Sequence, residues 1–433
     1  SYTWGDNLRL LRTFDTINGR SVRYDYDAFG SLSGAVYGDG SRQWRNPDLM
    51  GNVYDSPDRT DRSYGRGGQL REDKKWRYYY DSHGNLVLKT MRRSGPSLET
   101  GMRDEFLAWQ SGDYAYTWQG NGMLRSVTRP DGKTVTFRYD ALGRRIEKVF
   151  DGRVYRYLWD GDVILHEWEY AEADRPNTIV TETGEVTLDR PEPVENLITW
   201  VYDSDSYVPT AKIVGDKHYS IISDYIGRPV QAYDDNGNIV WQADYDIYGN
   251  VRNLHGSRQF IPFRQLGQYE DEETGLYYNR FRYYDPKIGN YISQDPIRLA
   301  GNNPTLYGYV EDCNKFIDLF GLKGDYYQIP QMLGHQKHHI IPQSTKHPLL
   351  DRLGFDVHQN KNIIQLPTNP SIDATRTIHK GRHNSAYDRM ILNRLDAIES
   401  LNASDHIKKL HLDDMMENIG DDLRNKRIKL NCN

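Results

Sequence analysis

The chain has 433 residues, 55 Lys and Arg against 61 Asp and Glu, and only two cysteines. Such a length calls for more than one core, and Cys313 and Cys432 are too few for a disulfide framework or a Cys-rich zinc site. Its polarity would suit a disordered chain, but 33 Tyr and 9 Trp supply the area for folded cores.

No run reaches the roughly 18 apolar residues of a membrane helix, and Ser1-Tyr2-Thr3-Trp4 opens inside a strand-like pattern. The chain therefore reads as a fragment whose export signal lies elsewhere. Composition divides it near Leu322. Residues 1–322 hold 39 basic and 48 acidic side chains and 30 of the tyrosines, whereas 323–433 hold 16 basic, 13 acidic and nine of the thirteen histidines.

In chain order, the first recurring element is an alternating strand containing Tyr-Asp, two variable residues, Gly and a second short strand. It occurs at Tyr26-Asp27 with Gly30, Tyr80-Asp81 with Gly84, Tyr139-Asp140 with Gly143, Tyr233-Asp234 with Gly237, and Tyr245-Asp246 with Gly249. Gly permits positive φ in the turn and the flanks alternate with period two, so each copy predicts a β-hairpin. Repeated hairpins predict one long sheet.

After these come Thr274-Gly275-Leu276-Tyr277-Tyr278-Asn279-Arg280-Phe281-Arg282-Tyr283-Tyr284-Asp285-Pro286, then Gly289, Tyr291 and Ser293-Gln294-Asp295-Pro296. With the five repeats, this block resembles the Rhs, or Tyr-Asp-repeat, family. The resemblance implies a mainly β protein in which hairpins wind into a hollow shell around a C-terminal cargo. Residues 1–260 would be repeat shell and 261–322 the Rhs core.

The segment from Asp295-Pro296-Ile297 to Asp318-Leu319-Phe320-Gly321-Leu322 resembles the family's self-cleavage site. The resemblance implies that Asp295 and Asp318 act as an aspartyl-protease-like pair on the Leu322-Lys323 bond. Two carboxylates sharing a site can divide into an acid and a base because their repulsion splits their apparent pKa values. Leu319 stands where the family has proline, so the rigid φ of that residue is missing. The alternative is a structural aspartate ending a strand.

Gly324 to Leu333 reads as a linker. The tail then carries Lys337-His338-His339-Ile340-Ile341-Pro342, Asn362-Ile363-Ile364-Gln365-Leu366-Pro367, and His379-Lys380-Gly381-Arg382-His383 leading into Ala386, Met390, Ile391, Leu392, Leu395 and Ile398. The β-branched pairs 340–341 and 363–364 predict two strands, and the later spacing predicts a helix. Were His379 and His383 both on that helix, their spacing of four would place both rings on one face. Neighbouring strand residues face opposite ways, so only one of His338 and His339 should join them at a cation.

This ββα order resembles the His-Asn-His and endonuclease VII-like superfamily, in particular its toxin branch marked by a small residue before His-His; here Lys337 holds that place. The resemblance implies residues 323–433 as a nuclease domain, His338, His379 and His383 as ligands of one divalent metal ion, His339 as general base, and Asn362 as its orienting residue. Imidazoles suit Zn, Ni or Co, and an open site could take Mg or Mn. Arg376, Lys380 and Arg382 are candidate phosphate contacts, and Lys408, Lys409, Arg424, Lys426, Arg427 and Lys429 form a second basic group.

The two resemblances together imply a secreted effector, delivered by a secretion system of type VI kind and acting in the cytoplasm of a target cell. Its partners would be nucleic acid, DNA before RNA, and a cognate immunity protein. The contrasting expectation is a non-enzymatic binding protein whose Tyr-rich surface recognises partners and whose histidines hold a structural metal.

Overall fold

The computed structural model describes residues 1–5, 9–16, 18–28, 30–91, 108–203, 206–298, 305–322, 335–355, 357, 362–379 and 385–430. They gather into two compact units, Ser1–Lys323 and Gly324–Asn433. None of the described helices is long and apolar enough to cross a membrane.

The first unit is built on sheets. Five antiparallel strands run from Tyr2–Trp4 to Arg42–Trp44, and sixteen more from Ser63–Tyr64 to Val251–His255. Within the large sheet nearly every strand pairs with its sequence neighbours; the one interruption is a side hairpin, Thr178–Val180 with Val186–Leu188. Period-two patterning places one face inward, as in Thr134–Tyr139, where Val135 and Phe137 are buried and Thr134, Thr136 and Arg138 are exposed.

The turns explain the Tyr-Asp pair. Asp Oδ1 accepts the backbone N–H four residues on in each copy: Ser31 for Asp27, Asn85 for Asp81, Arg144 for Asp140 and Asn238 for Asp234 (all 2.8 Å), and Asn250 for Asp246 (2.9 Å). The carboxylate thus closes its own turn, as short polar side chains do. The tyrosine serves the preceding hairpin. Tyr26, Tyr139 and Tyr245 donate their hydroxyls to the carbonyls of Leu10, Leu124 and Pro229 at 3.1, 2.8 and 2.7 Å. Asp224 closes a further turn in the same way, on Arg228 N at 2.9 Å, although Ser223 precedes it.

Four short strands, Tyr269–Asp271, Leu276–Asn279, Arg282–Asp285 and Asn290–Tyr291, form an internal sheet in which every residue is buried. Its two faces serve two cores. Tyr278 and Tyr283 pack with the large sheet, alongside Tyr116, Val135, Phe137 and Trp200. Tyr277, Tyr284 and Tyr291 pack with Leu10, Tyr24, Leu32 and Tyr37 of the five-stranded sheet. The core block therefore reads as near-continuous aromatic sequence because both of its faces are covered.

Every buried phenol needs a polar partner, and several find it in the repeat turns. Tyr307, Tyr278 and Tyr277 donate to the carbonyls of Gly84, Gly143 and Gly249 at 2.6, 3.2 and 3.1 Å. At Gly84 the approach is so close that a Cβ would fall 2.1 Å from the Gln294 amide nitrogen, and φ is +81°. Charge joins the layers too. Fully buried Arg145 meets Asp271 at 2.5 Å, and Lys148 lies 3.0 Å from Glu273.

In the second unit the strands His335–His339 and Ile363–Pro367 pair antiparallel, and three helices follow the chain: α1 (Pro348–Arg352), α2 (Ser385–Glu399) and α3 (Asp405–Arg424). Two details correct the sequence reading. The first strand ends at His339, before Ile340 and Ile341, which leave the ladder yet stay buried in the core. The buried stripe of α2 is Tyr387, Ile391, Leu395 and Ile398, while Ala386 and Leu392 are exposed.

Asp271→Ala is expected to destabilise the first unit by about 3–5 kcal/mol, since it strands a buried guanidinium. Tyr278→Phe, which leaves the Gly143 carbonyl and Arg145 N–H without their hydroxyl, should cost only about 1–3 kcal/mol. All nine tryptophans precede residue 322, so urea unfolding followed by tryptophan fluorescence reports this unit alone.

Candidate functional site

Two places in the molecule gather chemically capable side chains, one in each unit. In the second unit, His338 and His339 close the first strand, and their rings meet different neighbours, as strand alternation requires. The buried His338 ring stands edge-on to His379 with centroids 4.7 Å apart, and its Nε2 is 3.2 Å from the Tyr387 hydroxyl. His339 Nε2 lies 3.1 Å from the Gln343 amide nitrogen. An amide nitrogen only donates, so His339 presents a lone pair there.

His379 reaches this cluster from a loop. Its N–H donates at 2.9 Å to the carbonyl of Pro367, the last residue of the second strand, and α2 is described from Ser385. His379 itself lies in none of the described helices. His383, Lys380, Arg382 and Lys323 lie outside the described residues. Among the described residues no three His, Cys, Asp or Glu converge as a metal-binding group. What converges is a pair of buried imidazoles from separate segments, a donor set that fits a divalent cation needing further ligands.

Asn362, fully buried, grips the backbone that follows His339. Its Oδ1 accepts from Ile341 N at 2.6 Å, its Nδ2 donates to the carbonyls of Ile341 and Val357 at 2.9 and 2.8 Å, and its own carbonyl accepts from Ile340 N at 2.7 Å. These bonds turn the chain out of the ladder after His339, which is why the strand stops before the two isoleucines. Tyr387 adds a second hold by donating to the Ile340 carbonyl at 2.7 Å. Burial pushes its phenol above the ordinary value. Sequence reading missed Tyr387; its one signal is its place four residues after His383 in a tail with only three tyrosines.

The basic residues are less available than their sequence suggests. Arg376 pairs with Asp373 at 3.1 Å, Arg424 with Asp421 at 2.7 Å and Arg427 with Asp422 at 2.8 Å, while Lys408 donates to the Glu399 carbonyl at 2.6 Å. His347 caps α1 through its ring, accepting from Leu349 N at 3.2 Å. Lys337 shares a strand face with His339, and burial pushes its ammonium below the ordinary value.

In the first unit, one buried guanidinium collects the junction. Arg282 Nη2 lies 2.9 Å from Asp295 Oδ2 and 3.1 Å from Asp318 Oδ2, and its plane stacks on Tyr291 with 3.7 Å to the ring centroid. Arg282 Nε donates to the Gly321 carbonyl. Asp318 also accepts the Tyr291 hydroxyl at 2.8 Å and, through Oδ1, the Leu322 N–H at 2.9 Å. Burial and the neighbouring Asp318 keep that phenol protonated.

The bent path from 318 to 322 is held at three carbonyls: Asp318 by Asn279 Nδ2 (2.8 Å), Phe320 by Phe281 N (3.1 Å) and Gly321 by Arg282. The stiffness that proline would lend at Leu319 is supplied here by those bonds. Gly321 has φ +66°, and a Cβ on it would fall 2.5 Å from the Asn279 carbonyl oxygen. Arg282 was visible in the sequence only as one basic residue of the core block; nothing in the spacing marked it as the partner of both aspartates.

Comparison with known proteins gives two family matches. The teneurin YD-shell profile matches residues 8–307, and the profile of a nuclease family of the HNH/endonuclease VII superfamily with conserved AHH matches residues 321–423. The chain is 32% identical to "Double-stranded DNA deaminase toxin A" of Burkholderia cenocepacia over 75% of this chain and 23% of that protein. It is 32% identical to "Probable deoxyribonuclease RhsB" of Dickeya dadantii over 60% of this chain and 16% of the relative. With "tRNA nuclease WapA" of Bacillus subtilis it shares 28% identity over 51% of this chain and 9% of the other. The chain thus spans a quarter or less of these relatives, whose names carry three different chemistries.

Asn362→Ala should lower the melting temperature of the second unit, at a cost on the order of 1–3 kcal/mol for each buried backbone group left unbonded. Asn362→Asp should cost more, because it sets a carboxylate against the Ile341 and Val357 carbonyls that now accept hydrogen bonds. Helical circular dichroism on heating would check the order, since all three α-helices described belong to this unit.

Proposed function

Because the chain belongs to the YD-shell family and ends in a nuclease domain of the AHH family, we propose that it is the C-terminal part of an Rhs-type toxin whose metal-dependent endonuclease hydrolyses DNA in a rival cell. The observation that carries this reading is the edge-on pairing of His338 with His379, beside a His339 that faces the other way, inside the span matched by the AHH profile.

Each residue type suits the reaction. His339 takes a proton from the attacking water, the Gln343 amide yielding its place at the ring nitrogen. Asn362 orients that base through the backbone of Ile340 and Ile341. His338 and His379, with His383 as the expected third, would hold a divalent cation, which as a Lewis acid relieves charge on the phosphoryl oxygens. Lys380, Arg382 and Arg376 remain the candidates for the nucleic-acid backbone, Arg376 only by exchanging its bond to Asp373. DNA is favoured by the deoxyribonuclease relative, and RNA is the second reading, favoured by the tRNA nuclease.

The three parts proposed are a repeat shell over 1–260, a core with its cleavage segment over 261–322, and the nuclease over 323–433. Hydrolysis of the Leu322-Lys323 peptide bond would release the nuclease. One of Asp295 and Asp318 draws a proton from water while the other protonates the leaving amine, and Arg282 keeps the two carboxylates together. Delivery by a secretion system, action in the recipient's cytoplasm and neutralisation by a cognate immunity protein complete the proposal.

The purified full chain should nick plasmid DNA with Mg²⁺, Mn²⁺, Zn²⁺ or Ni²⁺ and lose that activity with a chelator, and His339→Ala should be slower by about 100-fold or more. Intact DNA and RNA under all four metals would refute the nuclease. On denaturing electrophoresis the wild type should run as two pieces, and Asp295→Asn, Asp318→Asn and Gly321→Ala as one; an uncut wild type would refute self-cleavage.

A further inference from the structure

We propose that Tyr387 holds His338 in the tautomer with its proton on Nε2, so that Nδ1 is the nitrogen His338 offers to a divalent cation. The inference rests on the metal-centre reading above and adds which atom ligates and what selects it.

The Tyr387 hydroxyl has one proton, and it goes to the Ile340 carbonyl at 2.7 Å. Toward His338 Nε2, 3.2 Å away, the same oxygen has only lone pairs to offer. The hydrogen in that bond must therefore come from Nε2, and a neutral imidazole protonated at Nε2 carries its lone pair on Nδ1. Tyr387 and His338 are 3% and 2% exposed, so bulk water does not compete for either atom.

Tyr387 cannot easily swing away, because it lies in the first turn of α2 on the same buried stripe as Ile391, Leu395 and Ile398. The His379 ring packs against the His338 ring that Tyr387 orients, so one phenol fixes the geometry of both imidazoles. Through Ile340 it also fixes the backbone immediately after His339. Tyr387 is thus a positioning residue serving two histidines of unlike role. Outer partners of this kind typically change metal affinity by 10–100-fold when removed.

The test uses the full chain, as wild type and as Tyr387→Phe, which keeps the ring in the core. Nitrogen NMR shifts of the histidine-labelled, metal-free protein should show His338 protonated at Nε2 in the wild type and a mixture of tautomers in Tyr387→Phe. Zn²⁺ titrated against a chromophoric chelator should bind about 10-fold more weakly to Tyr387→Phe, and a crystal structure of the zinc-loaded wild type should show Nδ1 as the ligating atom. Ligation through Nε2, equal zinc affinity in the two proteins, or a wild-type His338 protonated at Nδ1 would overturn this inference alone. Absence of zinc at His338 and His379 in the wild type would remove the metal centre itself, and the inference with it. If Tyr387→Phe does not fold, the wild-type shifts and the ligating atom still decide.

Discussion

The first unit depends on buried phenols that must find hydrogen-bond partners. A tyrosine closed inside a core loses its water, and an unpaired hydroxyl there costs on the order of 1–3 kcal/mol. In this chain the solution is to aim internal tyrosines at the repeat turns, where Gly84, Gly143 and Gly249 expose their carbonyls inward. The bonds from Tyr277 and Tyr278 fix the internal sheet against a ladder of strands that would otherwise be free to slide, since its register is set only locally by each hairpin. Phenylalanine would fill the space as well but would carry no address.

That fixed internal sheet is the platform for the junction. Asn279, Phe281, Arg282 and Tyr291 lie on it or between its strands, and they reach the segment 318–322 at backbone and carboxylate alike. Three held carbonyls and a left-handed Gly321 leave the chain one path to Leu322. Beside that path the two carboxylates of Asp295 and Asp318 meet on the one guanidinium of Arg282. The shell's packing and the proposed chemistry of release thus share the same residues.

The second unit uses a different economy of scale. Its two-stranded sheet is too small to be stable alone, and it is held by α2 and α3 through a core of Ile340, Ile341, Ile364, Leu366, Ile391, Leu395 and Met416. Two clamps, Asn362 and Tyr387, then decide where the strand ends and which way its last residues point. The histidines need little help from their own local propensity, because the backbone around them is already committed.

Much of this was legible in the sequence. Period-two alternation with a glycine at each turn determined hairpins, and the change from tyrosine to histidine near Leu322 marked two kinds of protein. The mainly β architecture and the two family resemblances hold. The reason is that hairpins and turns are local: their instructions lie within a few residues. Local reading also had its limits. It placed the first tail strand on Ile340 and Ile341, where the Asn362 side chain bends the chain away, and it considered a helix reaching back to His379, which lies in none of the described helices. Only the tertiary structure could bring Arg282 to aspartates 13 and 36 residues further on, or Tyr387 to His338 across 49. Such meetings depend on the register of sheets and the packing angle of a helix, which no short stretch of sequence contains.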